Sequence, residues 1–385
     1  MSLDDLLSQV RTFREMVVDP DVARWEHDRV MAVDALRDAA TLGLLGMEVP
    51  VEQGGLGLGF LGKLAVIDVL CETSMAFAFS LVNTANVAAR TAISGTDSQR
   101  ERYLDDLLAG RRFGCSALTE PGAGSDFAAI RTRAEKVDGG WRLNGEKAWI
   151  TNAAEADIAL CYAQTEPGSG GAGIASFLID GQRDGFERNE PYALMGGHLI
   201  GTGGFRLVDH FVPDEDLLAP PGEGFKAALA SINGARTYVA SMCCAMVRSS
   251  LGHAVAYGTH RQAFGQPLLD HQGLAWSLAE VANQLEAAQG LTQVAARSVA
   301  AGEDKGAMMQ AAHAKKFATE MAEPAITACI QAMGANGLRD ELPLGRHLAA
   351  ARIANYTDGS TQIMTDRIAS TLAKTYPLPP EHPAW

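Results

Sequence analysis

Along this chain the spacing of apolar residues changes twice, and those two changes limit the fold more than any single motif does. In Ala32-Val33-Asp34-Ala35-Leu36-Arg37-Asp38-Ala39-Ala40 the apolar positions recur every three or four residues, the period of an amphipathic helix. The exception nearby is 49–57, rich in Gly and Pro, which reads as a connector between helices. From about residue 113 the pattern turns to short apolar runs, at 158–163, 174–179, 205–208 and then 210–213. Val137-Asp138-Gly139-Gly140-Trp141 has glycines where a hairpin would reverse, with 141–144 returning as the second strand. From about 225 long Ala-rich segments restore the helical period, interrupted mainly at 334–344 by Gly337 and Pro343. A helical pattern does not settle as a strand. The expected fold is therefore mainly α with a central β-domain: helical over 1–112, β over 113–222 and helical again over 223–385.

Composition narrows the function. At 385 residues, 47% of them hydrophobic, the chain can bury a large core and enclose a sizeable cofactor. A net charge of −14 argues against a nucleic-acid role. A phosphorylated ligand would have to be held by local Arg, Lys and backbone N–H groups. The six cysteines (Cys71, Cys115, Cys161, Cys243, Cys244, Cys329) contain no C-x-x-C pair, so reduced and mostly buried thiols are expected. The nine histidines show no metal-ligand spacing, and no metal site is expected. Met1-Ser2-Leu3-Asp4-Asp5 is acidic where a signal peptide is basic, and the apolar stretch around 64–90 is broken by Asp68 and Glu72. These features predict a cytoplasmic protein without a membrane span.

Some apparent motifs lack the context their chemistry needs. Gly168-Ser169-Gly170-Gly171-Ala172-Gly173 matches G-x-G-x-x-G, but a β-branched, aromatic run follows it instead of the helix whose N-terminus would meet a pyrophosphate. It reads as a hairpin loop. His253, His260 and His271 are expected on helices without ligand geometry, and no G-x-S-x-G elbow is present to support a hydrolase.

Five segments carry chemistry. Ala117-Leu118-Thr119-Glu120-Pro121-Gly122-Ala123-Gly124-Ser125-Asp126 leaves a strand for a Gly-rich turn, which exposes N–H groups and hydroxyls at a sheet edge. Gly145-Glu146-Lys147-Ala148-Trp149-Ile150-Thr151-Asn152 ends a strand with an aromatic and a hydroxyl. The others are Arg261-Gln262-Ala263-Phe264-Gly265, Gln331-Ala332-Met333-Gly334 and Tyr356-Thr357-Asp358-Gly359-Ser360-Thr361-Gln362. In this order and spacing the chain resembles the acyl-CoA dehydrogenase family over essentially its whole length. The resemblance implies a helical N-terminal domain, a β-barrel or sandwich middle domain and a C-terminal four-helix bundle. It also implies FAD, an acyl-CoA substrate, electron-transferring flavoprotein as acceptor, and a homotetramer or homodimer. By resemblance, Thr119 and Thr151 hydrogen-bond the flavin with Trp149 packed alongside. Arg261 meets the FAD pyrophosphate, and Phe264 and Gln272 lie near its adenosine half. Gln331 and Gly334 reach the FAD of a neighbouring subunit, and Ser360 and Gln362 contact FAD again. Ser125 touches the pantetheine arm, Arg236 lies near the CoA end of the substrate, and Gly359 stands beside the base in the substrate site.

The base itself departs from the family. Family members place a Glu either in the late Y-E-G-T segment or just before the conserved Arg; this chain has Asp358 at the first position and Ala235 at the second. Aspartate is one methylene shorter, which brings the proton roughly 1–1.5 Å nearer the backbone. Asp bases occur in the family among dehydrogenases of alicyclic, cyclohexanecarboxyl-CoA-type substrates and in nitroalkane oxidase. Seven residues after Asp358, where nitroalkane oxidase resembles its relatives in carrying Arg, this chain has Thr365, and 198–203 lacks the basic residue common there. The sequence therefore points to α,β-dehydrogenation of an acyl thioester, with an alicyclic or α-branched acyl group. The alternatives are a carrier-protein-bound acyl group or an oxygen-using relative, either a nitroalkane oxidase or a flavin N-hydroxylase.

Overall fold

The computed structural model describes residues 2–377. Helix α1 (Leu3–Phe13) starts at a capping box, in which the Ser2 hydroxyl accepts the Asp5 N–H at 3.1 Å and the Asp5 carboxylate accepts the Ser2 N–H at 3.2 Å. A π-helical turn (Arg14–Val18) leads into α2 (Asp19–Asp28), and α3 (Val33–Thr41), α4 (Gly59–Cys71), α5 (Met75–Ser94) and α6 (Asp97–Leu108) follow. The apolar stretch around 64–90 folds as two helices. The chain breaks at Glu72-Thr73, and Ser74 restarts it by accepting the Phe77 N–H. Nearly every residue of α5 up to Ala92 is buried, in keeping with a helix whose one charged residue is Arg90.

The strands are β1 (Phe113–Ala117), β2 (Arg133–Val137), β3 (Gly140–Ile150), β4 (Ala156–Gln164), β5 (Ile174–Asp180), β6 (Phe186–Arg188), β7 (Gly203–Pro213) and β8 (Leu217–Ala219). They form one sheet in the order β6-β7-β3-β2-β4-β5-β8, with β1 parallel to β4. The G-x-G-x-x-G match lies in the turn between antiparallel β4 and β5, and no helix starts there beyond a 3₁₀ turn at Gly170–Gly173. The expected runs 205–208 and 210–213 are one strand, β7. Asp209, at φ +48, sits between them in a left-handed bulge, exchanging hydrogen bonds with Asn144 at 2.9 and 3.0 Å.

The last third holds α7 (Glu223–His260), a two-residue-turn hairpin of β9 (Gln262–Ala263) and β10 (Gln266–Pro267), then α8 (Gln272–Ala300), α9 (Asp304–Met333), α10 (Leu344–Ala354), α11 (Thr361–Ala369) and α12 (Leu372–Thr375). The long helices α7, α8 and α9 pack along one another, with α10 and α11 laid on α9. Among the described residues one helix, α7, is long and apolar enough to cross a membrane, but 61% of that stretch is buried inside the protein, as befits the middle of a bundle. All six cysteines are buried free thiols. One continuous apolar core runs from Leu6 and Phe77 through Met242 and Ile326 to Leu344, so the first and last helical regions share an interior.

Two buried polar devices tie the sheet to its surroundings. Asn152, at φ +65 just after β3, donates to the Ser80 carbonyl, the Thr84 hydroxyl and the Gly114 carbonyl at 2.9–3.2 Å, and accepts from the Ser80 hydroxyl at 2.7 Å. This amide fastens α5 to β1 and β3. Lys147 of β3 is fully buried and donates to Glu120 at 2.8 Å and to the Leu118 carbonyl at 3.1 Å. Glu120 also accepts the N–H groups of Arg131 and Thr132, at 2.6 and 2.9 Å. Burial pushes the Glu120 carboxyl up, but Lys147, Thr132 and Arg131 outweigh it and hold the group below its ordinary value.

Removing one partner of such a pair strands the other charge, so Lys147→Met is expected to cost about 3–5 kcal/mol in chemical denaturation, partly recovered in Glu120→Leu/Lys147→Met. The Glu120 contribution is full above the ordinary glutamate value of 4.5 and is lost as pH falls below it, because the folded value is the lower one. Asn152→Ala leaves several buried partners unpaired and should cost about 3 kcal/mol in the same measurement.

Candidate active site

Six non-glycine residues among those described have positive φ: Arg29, Trp149, Asn152, Asp209, Phe264 and Asp358. Such conformations are uncommon for L-residues, more so for bulky ones, and they concentrate where a fold is held under functional constraint. Three of the six are residues that the sequence singled out, and a fourth directly follows Thr151.

The first group stands at the rim of the sheet. Ala148 N–H donates to the Thr119 carbonyl at 3.1 Å, which sets the end of β1 beside the end of β3. Between Lys147 and Ile150 the ladder with β7 slips, and Trp149, at φ +59, is turned out of the sheet. Trp149 is 59% exposed, and its ring meets only the Tyr192 ring, at 4.6 Å, among the aromatic contacts of the described residues. Thr119 and Thr151 are half-buried, and neither hydroxyl is engaged within the chain among the described residues. Free hydroxyls beside an exposed indole suit a planar heteroaromatic ring, hydrogen-bonded at its edge and covered on a face. Ser125 lies exposed in the turn after Glu120, where Gly122 and Gly124 face open space.

The second group surrounds Asp358, at φ +53, followed by Gly359 at φ +98. Arg236 of α7, 2% exposed, donates from Nε to the Asp358 carbonyl at 3.2 Å. Lys315 of α9, fully buried, donates to the Gly359 carbonyl at 2.5 Å. Both cations grip the backbone, and no hydrogen bond or ion pair among the described residues reaches the carboxylate; its Oδ2 is out of solvent without a partner. Burial raises the Asp358 carboxyl above the ordinary carboxylate range, opposed by Lys315 and Arg236. Burial lowers Arg236 to about 10 and Lys315 to about 8. Ser360 caps α11 by accepting the Ile363 N–H at 3.3 Å, and Gln362, two residues on, is exposed.

Helix α5 relates the two groups. Ser80 and Thr84 hold Asn152 beside Thr151, while Phe79 packs on Tyr238 at 6.1 Å and Asn86 lies 3.5 Å from the Tyr238 hydroxyl, two residues beyond Arg236. The remaining predicted residues lie apart. Phe264 and Gly265, at φ +52 and +84, form the two-residue turn between β9 and β10, leaving Phe264 98% exposed. Arg261, Gln272, Gln331 and Gly334 are also exposed, and no hydrogen bond among the described residues joins them to the other groups. Asn336, just past Gly334, donates to the Tyr257 hydroxyl at 3.0 Å and so brings the end of α9 to the end of α7.

Three buried cations escaped the sequence reading: Lys147, Lys315 and Lys63. Lys63 of α4 donates to Glu48 at 2.5 Å and Asn86 at 2.7 Å, between the Phe60 and Tyr238 rings. A lysine in a helical period reads as solvent-facing, so only the unusual density of apolar neighbours around Lys63 could have marked it.

Family models for the N-terminal, middle and C-terminal domains of acyl-CoA dehydrogenase match residues 2–111, 115–209 and 222–373. The rat mitochondrial short/branched chain specific acyl-CoA dehydrogenase is 32% identical over 97% of this chain and 86% of its own. The structure of butyryl-CoA dehydrogenase from Megasphaera elsdenii superposes with a TM-score of 0.90 at 30% identity, covering 96% of this chain and 97% of that one. That of PigA with FAD and proline gives 0.88 at 25% identity, covering 97% and 98%. The rim of free hydroxyls and exposed indole suits the flavin that this family uses. With its helix, sheet, helix order and these matches over nearly its whole length, the chain belongs to the acyl-CoA dehydrogenase family of FAD-dependent oxidoreductases.

Proposed function

We propose that this protein dehydrogenates an acyl thioester between Cα and Cβ, with Asp358 taking the α-proton. The observation that carries the assignment is a carboxylate oxygen out of solvent, without a partner, on a turn whose carbonyls are held by two buried cations. A base in that state keeps the lone pairs of that oxygen free of any partner within the chain. When bound, FAD supplies the acceptor for the β-hydride. Thr119, Thr151 and Trp149 would orient the ring, and Ser125 would meet the pantetheine arm. Arg261, Phe264 and Gln272, with Gln331 and Gly334 near the same end of the bundle, would serve the nucleotide half across subunits of a homotetramer or homodimer. Electron-transferring flavoprotein is the acceptor we infer.

CoA is favoured over an acidic carrier protein by the relatives already described, since the rat short/branched chain specific acyl-CoA dehydrogenase and the butyryl-CoA dehydrogenase of Megasphaera elsdenii both act on acyl-CoAs. An alicyclic or α-branched acyl group is favoured by the short reach of aspartate from its turn.

Anaerobic addition of short, branched and alicyclic acyl-CoAs should bleach the flavin for at least one class; oxidised flavin throughout would sink the thioester reading. Asp358→Asn should slow that reduction roughly 10²–10⁴-fold. The base works only when ionised, and its carboxyl is raised by burial. Reduction rates should therefore hold at high pH and fall as pH drops through a value above the ordinary 3.8 of aspartate, as read from a stopped-flow pH profile.

A further inference from the structure

Asp358 lies among charges that never touch its carboxylate. Arg236 and Lys315 arrive from different helices and bind the carbonyls of two successive residues, Asp358 and Gly359. A direct ion pair would occupy the lone pairs that must receive a proton. Binding the adjacent backbone gives a different result: the turn is fixed, the positive charge stays close, and the oxygens stay free. Arg236 has a further anchor, with Nη1 donating to the Asn233 side chain at 3.4 Å, and the like charge of Arg367 on α11 acts against its own. Lys315 has no second acceptor among the described residues, and Asp358 and Cys243 are the titratable groups that favour its charge. Tyr238 of α7 also faces Asp358, with Glu48 beyond it. A fully buried ammonium costs several kcal/mol to desolvate. One carbonyl bond repays little of that, so the ammonium is there at the expense of stability.

We propose that Lys315 is a positioning residue for the base: fastened to the Gly359 carbonyl, its ammonium holds the Asp358 turn and keeps the carboxylate ionised through space while leaving its oxygens free. The inference rests on Asp358 being the base, and it assigns to α9 a part in the reaction that its packing alone would not need. The two cations divide the work. Arg236 is tied to α7 at Asn233, whereas Lys315 is committed to the turn alone and is the one whose charge can be removed without breaking a second contact.

The test uses the FAD-loaded enzyme with the thioester that bleaches wild type fastest, and compares Lys315→Gln and Lys315→Arg with Asp358→Asn. Glutamine keeps a donor and loses the charge. It should move the acid limb of flavin reduction up by about one pH unit or more, with about tenfold slower reduction at the foot of that limb, since a nearby opposite charge shifts a carboxyl by that much. Flavin content and KM should change little. Lys315→Arg keeps the charge and should leave the acid limb within a few tenths of wild type even if the rate falls. An unmoved acid limb in Lys315→Gln, or an equal shift in both variants, overturns the role of the charge. If the glutamine variant does not fold, Lys315→Met is read in its place: an acid limb raised by about one pH unit sustains the proposal and an unmoved one overturns it. Persistent activity in Asp358→Asn would instead remove the base assignment, which the Lys315 profiles alone cannot do.

Discussion

The candidate site depends first on an ion pair that lies beneath it. Glu120 and Lys147 lie out of water beneath the turn after β1, and Glu120 also collects two backbone N–H groups from the segment that opens β2. Three stretches far apart in the chain are thereby held together at one point. Thr119 precedes one partner and Trp149 follows the other by two residues, so the spacing between hydroxyl and indole is inherited from a charge pair below them. Buried pairs rarely add net stability over apolar substitutes; their value here is that the geometry above them has one solution.

The backbone is under constraint in the same places. Trp149, Phe264 and Asp358 all sit in the left-handed region, each at a cost of order 1–3 kcal/mol that surrounding contacts must cover. The means differ. Trp149 rides on a slipped ladder, Phe264 on a two-residue hairpin turn closed by Gly265, and Asp358 on two cations bound to its own turn.

Much of this was legible in the sequence. Periodicity placed the helices and strands in order, the turn at Gly139 was visible, and missing helical context correctly reduced the G-x-G-x-x-G match to a hairpin loop. The five segments identified the family and the cofactor. What stayed hidden involves partners brought together by tertiary structure. Lys315 lies 44 residues before Gly359, whose carbonyl it binds. Nothing local tells a buried lysine on α9 from a solvated one. The Asp209 bulge looked like a gap between two strands because a polar residue in a left-handed pocket breaks alternation without breaking the strand. The interior shared by the first and last helical regions left no local trace, since each helix shows only that it has an apolar face and not which helix covers it.

The left-handed turn at Asp358 bears on how such a site can change over generations. Aspartate and asparagine tolerate that conformation better than longer side chains do, because a short polar group can settle against its own backbone. The length of the acid and the handedness of its residue are therefore linked traits. A lineage exchanging this aspartate for glutamate would set a longer side chain, less at ease in that conformation, on the same turn, so the identity of the proposed base concerns the main chain as well as the side chain.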